Sequence, residues 1–474
     1  MGTTTPEKTI AGSAVVIGGS VTGAAVASAL SSHYENVLVV DRDDLPVDKN
    51  ERKGAPHGHQ YHALAVAGRL AFEKLYPGFT QEAIDDGVPY TDPSNTLQYC
   101  SKYGFLRNQP SDMRILQATR QHLEYMLRNR MRALPNVEVV DKKRVGGLIH
   151  SDGAVTGVEL IDISTKQAAT VPAVLVVDAS GRASVTPDWL ESLGYPRPKE
   201  STVNAFWGYS TCYVRPGPNW NPGYEALYIG PTVRGEGTRA TRGAATWRQE
   251  DGLWVLTAQG CAGDYPPATE PEFRAFLGSF GRTEFAELFD GAEIVRPIVA
   301  WRNTVNRHRD YAALASRPEN LLVIGDAVAA FNPVYGQGMS SAALSACLLG
   351  EEIGAWRTNH DDLTGFADHF QAKLDVEVLR GCWNFSTGSD LSVPGVEVDG
   401  SPIAPQQDTS AADYSDRVLA LGTEDPDVAL KLLEMIGMIR NLDWMAEPEL
   451  QKRIQDDWER LGNLTRVDEP AAAR

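Results

Sequence analysis

The sequence predicts an α/β fold with three parts: a parallel-sheet domain, an antiparallel-sheet domain and a C-terminal helical region. Residues 12–41 give an apolar strand, a helix of small residues and a second apolar strand, an order typical of parallel sheets. Residues 203–262 are aromatic-rich runs separated by turn residues, which favours antiparallel strands. Helical patterns dominate after residue 339, and 474 residues are too many for one compact core.

The order of these patterns sets the expected domain boundaries. The parallel-sheet domain takes residues 10–75, 100–190 and 295–360, the second domain takes 76–99 and 191–294, and the helical region takes 361–474. Within the first domain, residues 155–190 read as a hairpin-like strand pair and residues 114–134 as one amphipathic helix. Further helices are expected over 339–357 and 363–379.

The composition restricts partners and location. The formal net charge is −18, whereas nucleic acid or an anionic membrane requires basic patches; alternatively, the acidity serves only solubility. The 5 cysteines form no Cys-x-x-Cys pair, which favours a reducing compartment without disulfides or a metal site. No signal-peptide core and no window of roughly 18 apolar residues occur. We therefore expect a cytoplasmic protein without an integral membrane segment or nucleic-acid partner.

The first motif is "VVIGGSVTGAAVASAL" followed by "VLVVD". Gly18 and Gly23 occupy the first and third places of a dinucleotide fingerprint, and Ser20 stands where the second glycine is usual. Asp41 ends the second strand, 23 residues after Gly18, where a carboxylate can bind an adenosine ribose. The helix N-terminus offers free amides to phosphates. The alternative is a nucleotide-free unit with Asp41 in a turn.

The second motif, "VVDASGRAS" at residues 176–184, ends a buried strand on Asp178 and allows a sharp turn at Gly181. This pattern is also consistent with a simple polar strand end. The motif alone therefore leaves the role of Asp178 open between ligand binding and turn formation.

The third motif is "LLVIGDAVAAFNPVYGQGM". Asp326 follows an apolar strand, at the end of a parallel sheet where ligands bind, and its carboxylate suits the hydroxyls of a polyol. Gly336 and Gly338 leave room for a flat ring, and the helix starting at Met339 would stabilise negative charge on that ring. A polyol, a pyrophosphate and an adenosine together make FAD, which we predict as a non-covalent cofactor.

Arg120 gives separate support. On the predicted 114–134 helix it falls on the same face as Leu116 and Leu123, so its guanidinium needs an anionic partner. An FAD phosphate or ribose is one candidate partner. The alternative is that the side chain extends to solvent at the helix edge.

Together these motifs resemble FAD-dependent monooxygenases of the p-hydroxybenzoate-hydroxylase superfamily. The segments "RKGAPHGHQYHAL" (52–64), "WVLTAQGCAGDYPP" (254–267) and "NPVYGQGM" are similar to the squalene-epoxidase-like branch, which includes bacterial polyether epoxidases. The resemblance covers most of residues 12–360. It implies a Rossmann-type, glutathione-reductase-like FAD-binding domain beside an antiparallel-sheet substrate domain.

The resemblance also implies roles for individual residues. Asp326 would bind the ribityl chain, and Pro333, Gly336, Gln337 and Gly338 would face the isoalloxazine. The branch has a basic pair near the cofactor at Arg52 and Lys53, and His57 stands where relatives carry Gln. The full predicted cofactor-binding set is Gly18, Ser20, Gly23, Asp41, Arg42, Arg52, Lys53, Arg120, Asp178, Asp326, Pro333, Gly336, Gln337, Gly338 and Met339.

The substrate side is predicted less completely. Trp207, Tyr209 and Tyr213 alternate along one strand and either line an apolar pocket or belong to the sheet core. His57, His59 and His62 lack the acidic or Cys ligands of a metal site, so no metal is expected. No protein side chain is assigned a catalytic role beyond the flavin contacts.

The expected function is a flavin-dependent monooxygenase of secondary metabolism that inserts one atom of O2 into an apolar small molecule. By the resemblance, the reaction passes through a flavin C4a-hydroperoxide and is alkene epoxidation. Because no second glycine fingerprint is present, electrons come from transiently bound NAD(P)H or from a separate reductase. The alternatives are an aromatic or indole hydroxylase, a double-bond reductase of the geranylgeranyl-reductase type and a flavin-binding carrier. Halogenation is disfavoured because the Trp-x-Trp-x-x-Pro segment of tryptophan halogenases is missing.

Overall fold

The computed structural model describes residues 9–218, 220–232, 237–404 and 409–464. Residues 1–8, part of the N-terminal segment used in the expectation of a cytoplasmic protein, lie outside the described residues. Within the described ranges, no helix is both long and apolar enough to cross a bilayer.

A five-stranded parallel sheet forms the centre of the first domain, which confirms the predicted α/β fold. In spatial order its strands are Leu321–Val323, Leu175–Asp178, Ile10–Ile17, Tyr34–Val40 and Val137–Val140. These strands are short apolar runs because both faces of the sheet are covered.

The first helix, Val21–Ser31, packs closely because its side chains are small. It lies against the long helix Gly338–Asn359, where a Cβ on Gly350 would stand 3.5 Å from the Cβ of Ala29. Small residues on both helices thus bring the N-termini of two helices to the same edge of the parallel sheet.

Two sequence interpretations of the first domain are corrected. The runs at 155–190 do not pair with each other: Ala154–Asp162 joins a three-stranded antiparallel sheet with Lys143–Ser151 and Ala168–Pro172, while Leu175–Asp178 joins the parallel sheet. The 114–134 helix spans only Arg120–Arg132. It begins there because Thr119 is its N-cap, and Ile115–Leu116 is extended and pairs with Tyr90–Thr91.

A seven-stranded sheet forms the second domain. Its strands, in spatial order, are Glu293–Trp301, Gly208–Arg215, Trp254–Gly260, Arg242–Arg248, Ala226–Ile229, Leu97–Ser101 and Gly104–Phe105. The pairing is antiparallel except between Ala226–Ile229 and Leu97–Ser101, so the sheet is mixed. The expected boundaries at residues 99/100 and 294/295 therefore fall inside strands of this sheet.

One more five-stranded sheet links the domains. Its strands are Ala329–Ala330, Asn306–Asp310, Lys199–Asn204, Glu397–Val398 and Ser401–Pro402. Residues 321–335 thus run from the parallel sheet into this linking sheet, so the third motif lies where the two sheets meet.

The C-terminal region is helical, as predicted. Phe366–Leu374 continues through a π-helical segment, Asp375–Leu379, into Arg380–Asp390. Ser410–Gly422, Pro426–Ile436, Pro448–Asp456 and Trp458–Gly462 form a cluster whose core includes Leu97 and Ala226 of the seven-stranded sheet. The remaining α-helices are Val66–Leu75, Phe79–Asp85, Pro93–Thr96, Thr186–Ser192, Glu270–Leu277 and Glu284–Phe289.

Candidate functional site

The fingerprint glycines are required by backbone contacts. Gly18 has φ +106°, and a Cβ there would stand 2.6 Å from the carbonyl oxygen of Ala179. A Cβ on Gly23 would stand 1.7 Å from the carbonyl oxygen of Gly18. No larger residue fits either position without moving the backbone. The turn therefore lies directly over the N-terminus of the first helix, whose first amides have no intrahelical partner.

Asp41 is turned inward. Its carboxylate accepts hydrogen bonds from the Gly19 and Asp43 amides, both at 2.7 Å. Its side chain is 8% exposed, with the Arg52 guanidinium 3.9 Å away. The neighbouring Arg42 and Lys53 side chains are exposed. Asp41 thus fixes the fingerprint turn itself.

Arg120 meets an acidic partner within its own helix. Its guanidinium donates to Glu124 at 2.7 and 2.9 Å and to the Ser20 hydroxyl at 3.2 Å. Glu124 also accepts from Arg52 at 3.0 Å and from Arg128 at 3.3 Å. Burial alone would raise the pKa of Glu124, but Arg120 and Arg52 hold it well below its usual range.

Glu124 was missed by sequence reasoning, although its place four residues after Arg120 is a recognisable helical ion-pair spacing. The described structure therefore gives Arg120 a protein anion rather than a solvent-exposed position. Through Ser20, this ion cluster reaches the fingerprint turn.

Asp178 organises its own loop. Its oxygens accept from the Ser180 amide at 2.9 Å and from the Ser184 and Thr186 hydroxyls, each at 2.5 Å. The side chain is buried. The loop that Asp178 holds in place carries Ala179, whose carbonyl oxygen lies close to Gly18. Asp178 therefore stabilises the fingerprint turn indirectly, through this loop.

The third motif packs against the first. Gly325 has φ +65°, and a Cβ there would stand 2.7 Å from the Thr22 methyl in the first helix. The next residue, Asp326, lies beside Gly338, since an added Cβ on Gly338 would be 3.8 Å from its carboxylate. The Arg182 guanidinium is 3.8 Å from Asp326. The N-terminus of the first helix and the N-terminus of the long helix therefore lie close together, with the Asp326 carboxylate beside them.

Asp326 and Asp41 differ in exposure. The Asp326 side chain is 41% exposed, against 8% for Asp41. The reason is local: Asp41 folds under the fingerprint turn, whereas Asp326 faces outward from a tight turn after the strand Leu321–Val323.

The turn before the long helix is shaped by two residues. The Asn332 side chain accepts from the Val334 amide at 3.2 Å, and Gly336 adopts φ +68°. Gln337 is buried, and its side-chain oxygen has no hydrogen-bond partner among the described residues. The long helix begins at Gly338, one residue before Met339, where the sequence predicted its start. The Met339 side chain packs into the core of the first domain.

A cavity of about 190 Å³ lies directly beside this turn. Pro333–Tyr335 and Gly336 line it on one side, the seven-stranded sheet on another, and the helix Pro426–Ile436 on a third. Strand pairing determines which side chains of the sheet line the cavity. Tyr209 pairs with Gln259. Across the neighbouring strands, paired residues form one row: Thr257, Ala245, Tyr228 and Tyr99.

Aromatic rings give the cavity a flat, apolar lining. Tyr61 stacks on Trp247 with ring centroids 5.5 Å apart, and Tyr99 stacks on Tyr228 at 4.8 Å. Of the three predicted pocket residues, Tyr209 lines the cavity. The other two make different contacts. Trp207 precedes the strand Gly208–Arg215, and its indole N–H donates to Asp390 at 2.7 Å. The Tyr213 ring packs edge-on to His59.

Comparison with known proteins identifies the family. Residues 12–362 match the family model described as "FAD binding domain". The chain belongs to the FAD binding domain family. This confirms FAD as the cofactor indicated by the three motifs.

The chain is also similar to one protein of known sequence and to several solved structures. The chain is 29% identical over 446 residues to Protein Rv3254 of Mycobacterium tuberculosis, covering 90% of each chain. The structure of PqsL, described as a probable FAD-dependent monooxygenase from Pseudomonas aeruginosa, matches with TM-score 0.60 and 17% identity over 81% of this chain and 97% of that one. The flavin-dependent brominase Bmp2 matches with TM-score 0.61 and 13% identity over 95% and 100%. The fold is thus shared by flavin-dependent monooxygenases and halogenases.

The residues present fit FAD. The turn at Gly18 and Gly23 has no room for side chains, as close approach of a pyrophosphate requires. Asp326 is exposed beside Gly338, so its carboxylate can accept hydrogen bonds from the hydroxyls of a ribityl chain. Among the described residues, no cluster of three His, Cys, Asp or Glu could hold a metal ion.

Asp390 is a second residue that sequence reasoning missed. Its buried carboxylate accepts from Tyr335 at 2.7 Å, Asn306 at 2.6 Å and Asn332 at 3.1 Å, in addition to Trp207. It therefore ties the turn beside the FAD site to the C-terminal helices. No local signal marks it, because its partners are 55 to 183 residues away in the sequence.

Proposed function

We propose that this protein is an FAD-dependent monooxygenase that transfers one oxygen atom of O2 to a small, largely apolar substrate, with alkene epoxidation as the reaction. The position of the cavity carries the proposal. Its wall includes Pro333–Tyr335 and Gly336, which we assign to the isoalloxazine side, and its other walls are aromatic and aliphatic. Substrate and flavin would therefore be neighbours.

The roles of the chain's residues follow from their positions. Asp326 binds ribityl hydroxyls, and the backbone of Pro333, Gly336 and Gly338 contacts the ring. The N-terminus of the long helix stabilises negative charge there. When bound and reduced, FAD supplies the activation of O2. The second oxygen atom leaves as water, with two electrons from NAD(P)H or a separate reductase and two protons.

Epoxidation is favoured over phenol hydroxylation by the protonation states in the cavity. Burial, followed by the charge of Arg120, holds the pKa of His62 well below its usual value. Burial raises the pKa of Tyr61 and Tyr335 well above theirs. His62 is therefore a weak base and the two tyrosines are weak acids, whereas hydroxylation of a phenol benefits from a base. An alkene needs none, because its π electrons attack the activated oxygen directly.

The test is turnover under ¹⁸O₂ with FAD reduced chemically or by a flavin reductase. The cavity is somewhat larger than one of about 150 Å³ that takes up benzene, so indene is a suitable first alkene. We expect one labelled oxygen in indene oxide or its diol. A saturated, unlabelled product would instead establish a reductase. A dihydroxy product formed from a phenolic substrate, with the label in its new hydroxyl group, would establish a hydroxylase. The control is the Asp326→Ala variant, which should bind FAD roughly ten- to hundredfold more weakly and lose turnover accordingly at limiting FAD.

A further inference from the structure

The imidazole of His62 brings an accessible acceptor nitrogen to the apolar cavity. His62 lines the cavity and is half-buried. Its Nδ1 lies 2.8 Å from the Gln60 carbonyl oxygen, which can only accept, so Nδ1 carries the hydrogen and Nε2 of the neutral ring keeps a lone pair. Among the described residues Nε2 has no hydrogen-bond partner, yet it keeps accessible surface, unlike the enclosed side-chain atoms of Gln117. A ligand in the cavity can therefore reach it.

The segment around His62 is fixed on both sides. Before it, the Gln60 side-chain amide donates to the Val299 carbonyl at 3.0 Å, on an edge strand of the seven-stranded sheet. After it, the Ala65 amide donates to the Ser340 hydroxyl at 3.1 Å, on the long helix. These bonds and the Nδ1 contact are present without a ligand. The acceptor is thus held in place beforehand, as a preorganised recognition site requires.

The charges around the ring select an uncharged partner. The described lining of the cavity contains no Asp, Glu, Lys or Arg. Burial, followed by the charge of Arg120, holds the pKa of His62 well below its usual value, which keeps the ring neutral at neutral pH. An alkylammonium donor would lie among apolar groups without a counter-ion, at a high desolvation cost. The suitable partner is therefore a neutral O–H or N–H group.

We infer that Nε2 of His62 accepts a hydrogen bond from an uncharged O–H or N–H group of the substrate. The substrate is then an unsaturated alcohol or an indole-type N–H compound, not a plain hydrocarbon. This inference rests on the proposed function in taking the cavity as the substrate site. It agrees with the weak basicity of the ring, which accepts the hydrogen bond without removing the proton. Sites built to hydrogen-bond a polar group discriminate strongly against analogues that lack it.

The test is calorimetric titration of the FAD-loaded protein with two pairs of bicyclic ligands. In each pair a methyl group replaces only the donor hydrogen: 1-indanol with 1-methoxyindane, and indole with 1-methylindole. We expect the wild-type protein to bind the donor ligand roughly tenfold more tightly in at least one pair. A preference for 1-indanol identifies an alcohol, and a preference for indole identifies an aromatic N–H. Equal affinities within both pairs would overturn the inference, and this comparison requires no variant.

Two variants show whether the preference comes from His62. His62→Phe removes the acceptor and keeps a ring, so the preference should disappear while the methylated ligands bind as before. His57→Phe is the matched control, because the His57 ring centroid lies 5.5 Å from that of His62 but the residue is outside the described lining. The preference should remain in this control. A preference that survives in His62→Phe, or one that disappears equally in both variants, would overturn the inference.

Binding is measured without turnover, so this inference and the proposed function can fail separately. Labelled product in the ¹⁸O₂ experiment, together with equal affinities within both ligand pairs, refutes the inference alone. Failure of the wild-type protein to bind any of the four ligands refutes the inference and also the assignment of the cavity as the substrate site.

Discussion

The buried carboxylate of Asp390 should make stability depend on pH in an unusual direction. It lies at the end of the helix Arg380–Asp390 and is 0% exposed. Burial raises its pKa from 3.8 to about 6, although hydrogen bonds from Tyr335, Asn332, Trp207 and Asn306 act in the opposite direction. The loss of hydration therefore outweighs the donors around it.

The sign and size of the effect follow from this shift. Because the folded protein binds this proton more tightly than the unfolded chain, the contribution of Asp390 to stability is largest below pH 3.8 and is lost as pH rises to about 6. A shift from 3.8 to about 6 corresponds to about 3 kcal/mol in all. Between pH 5 and pH 7 the loss amounts to about 1.3 kcal/mol.

The assay is urea unfolding of the wild-type protein and of Asp390→Asn across this range. All other titrating groups are common to both, so the wild-type minus variant difference isolates Asp390. We expect that difference to fall by about 1.3 kcal/mol from pH 5 to pH 7. A flat difference would show that the donors offset burial, and a difference that rises with pH would show that they outweigh it; either result would refute the reasoning. If the variant fails to fold, loss of a carboxylic acid band in infrared spectra of the wild-type protein near pH 6 provides the same information.

Four further predictions concern the FAD site. FAD should be released by acid precipitation, with the yellow colour in the supernatant; colour retained in the pellet would mean a covalent link. Asp326→Ala should weaken FAD binding roughly ten- to hundredfold, at about 1.5–3 kcal/mol for one charged hydrogen bond, with little change in apo-protein melting temperature because the side chain is exposed. Asp41→Ala should instead lower that melting temperature, since it removes two backbone contacts, and equal behaviour of the two variants would contradict the assignment. Gly23→Ala should abolish FAD binding in titrations, because its Cβ would stand 1.7 Å from the Gly18 carbonyl oxygen; retained binding would show that the turn can move.

Much of the FAD domain was predictable because its signals are local. The fingerprint, the acidic strand ends and the glycines before the long helix each act within about twenty-five residues, so spacing alone indicates their geometry. The exposure of Asp326 and the inward turn of Asp41 were not predictable. They depend on which amides face each carboxylate, and the sequence does not show this.

The substrate side was less predictable for a related reason. Alternation along residues 207–213 suggested one face, but the strand starts at Gly208, and the positive φ of Phe206 turns Trp207 away. The wall of the cavity also depends on register between strands far apart in sequence, such as Tyr99 with Tyr228. Asp390 has no local pattern at all, since its contacts with Trp207, Asn306 and Tyr335 exist only once distant segments meet.

Part of the cavity wall is formed by residues outside the segment that matches the family model. That match ends at residue 362, whereas Phe385, Leu433, Ile436 and Gly437 line the cavity and Asp390 holds the turn beside the FAD site. On the proposed function, the C-terminal segment then contributes to the choice of substrate, together with the cavity residues that lie inside the family match. Changes in the helices Ser410–Gly422 and Pro426–Ile436 should alter the cavity with little effect on the FAD turns, because these helices pack on Leu97 and Ala226 of the seven-stranded sheet and on Val66. Exchange of residues 409–464 for the matching segment of a relative leaves Asp390 in place, and it should therefore change which ligand binds while FAD binding is retained.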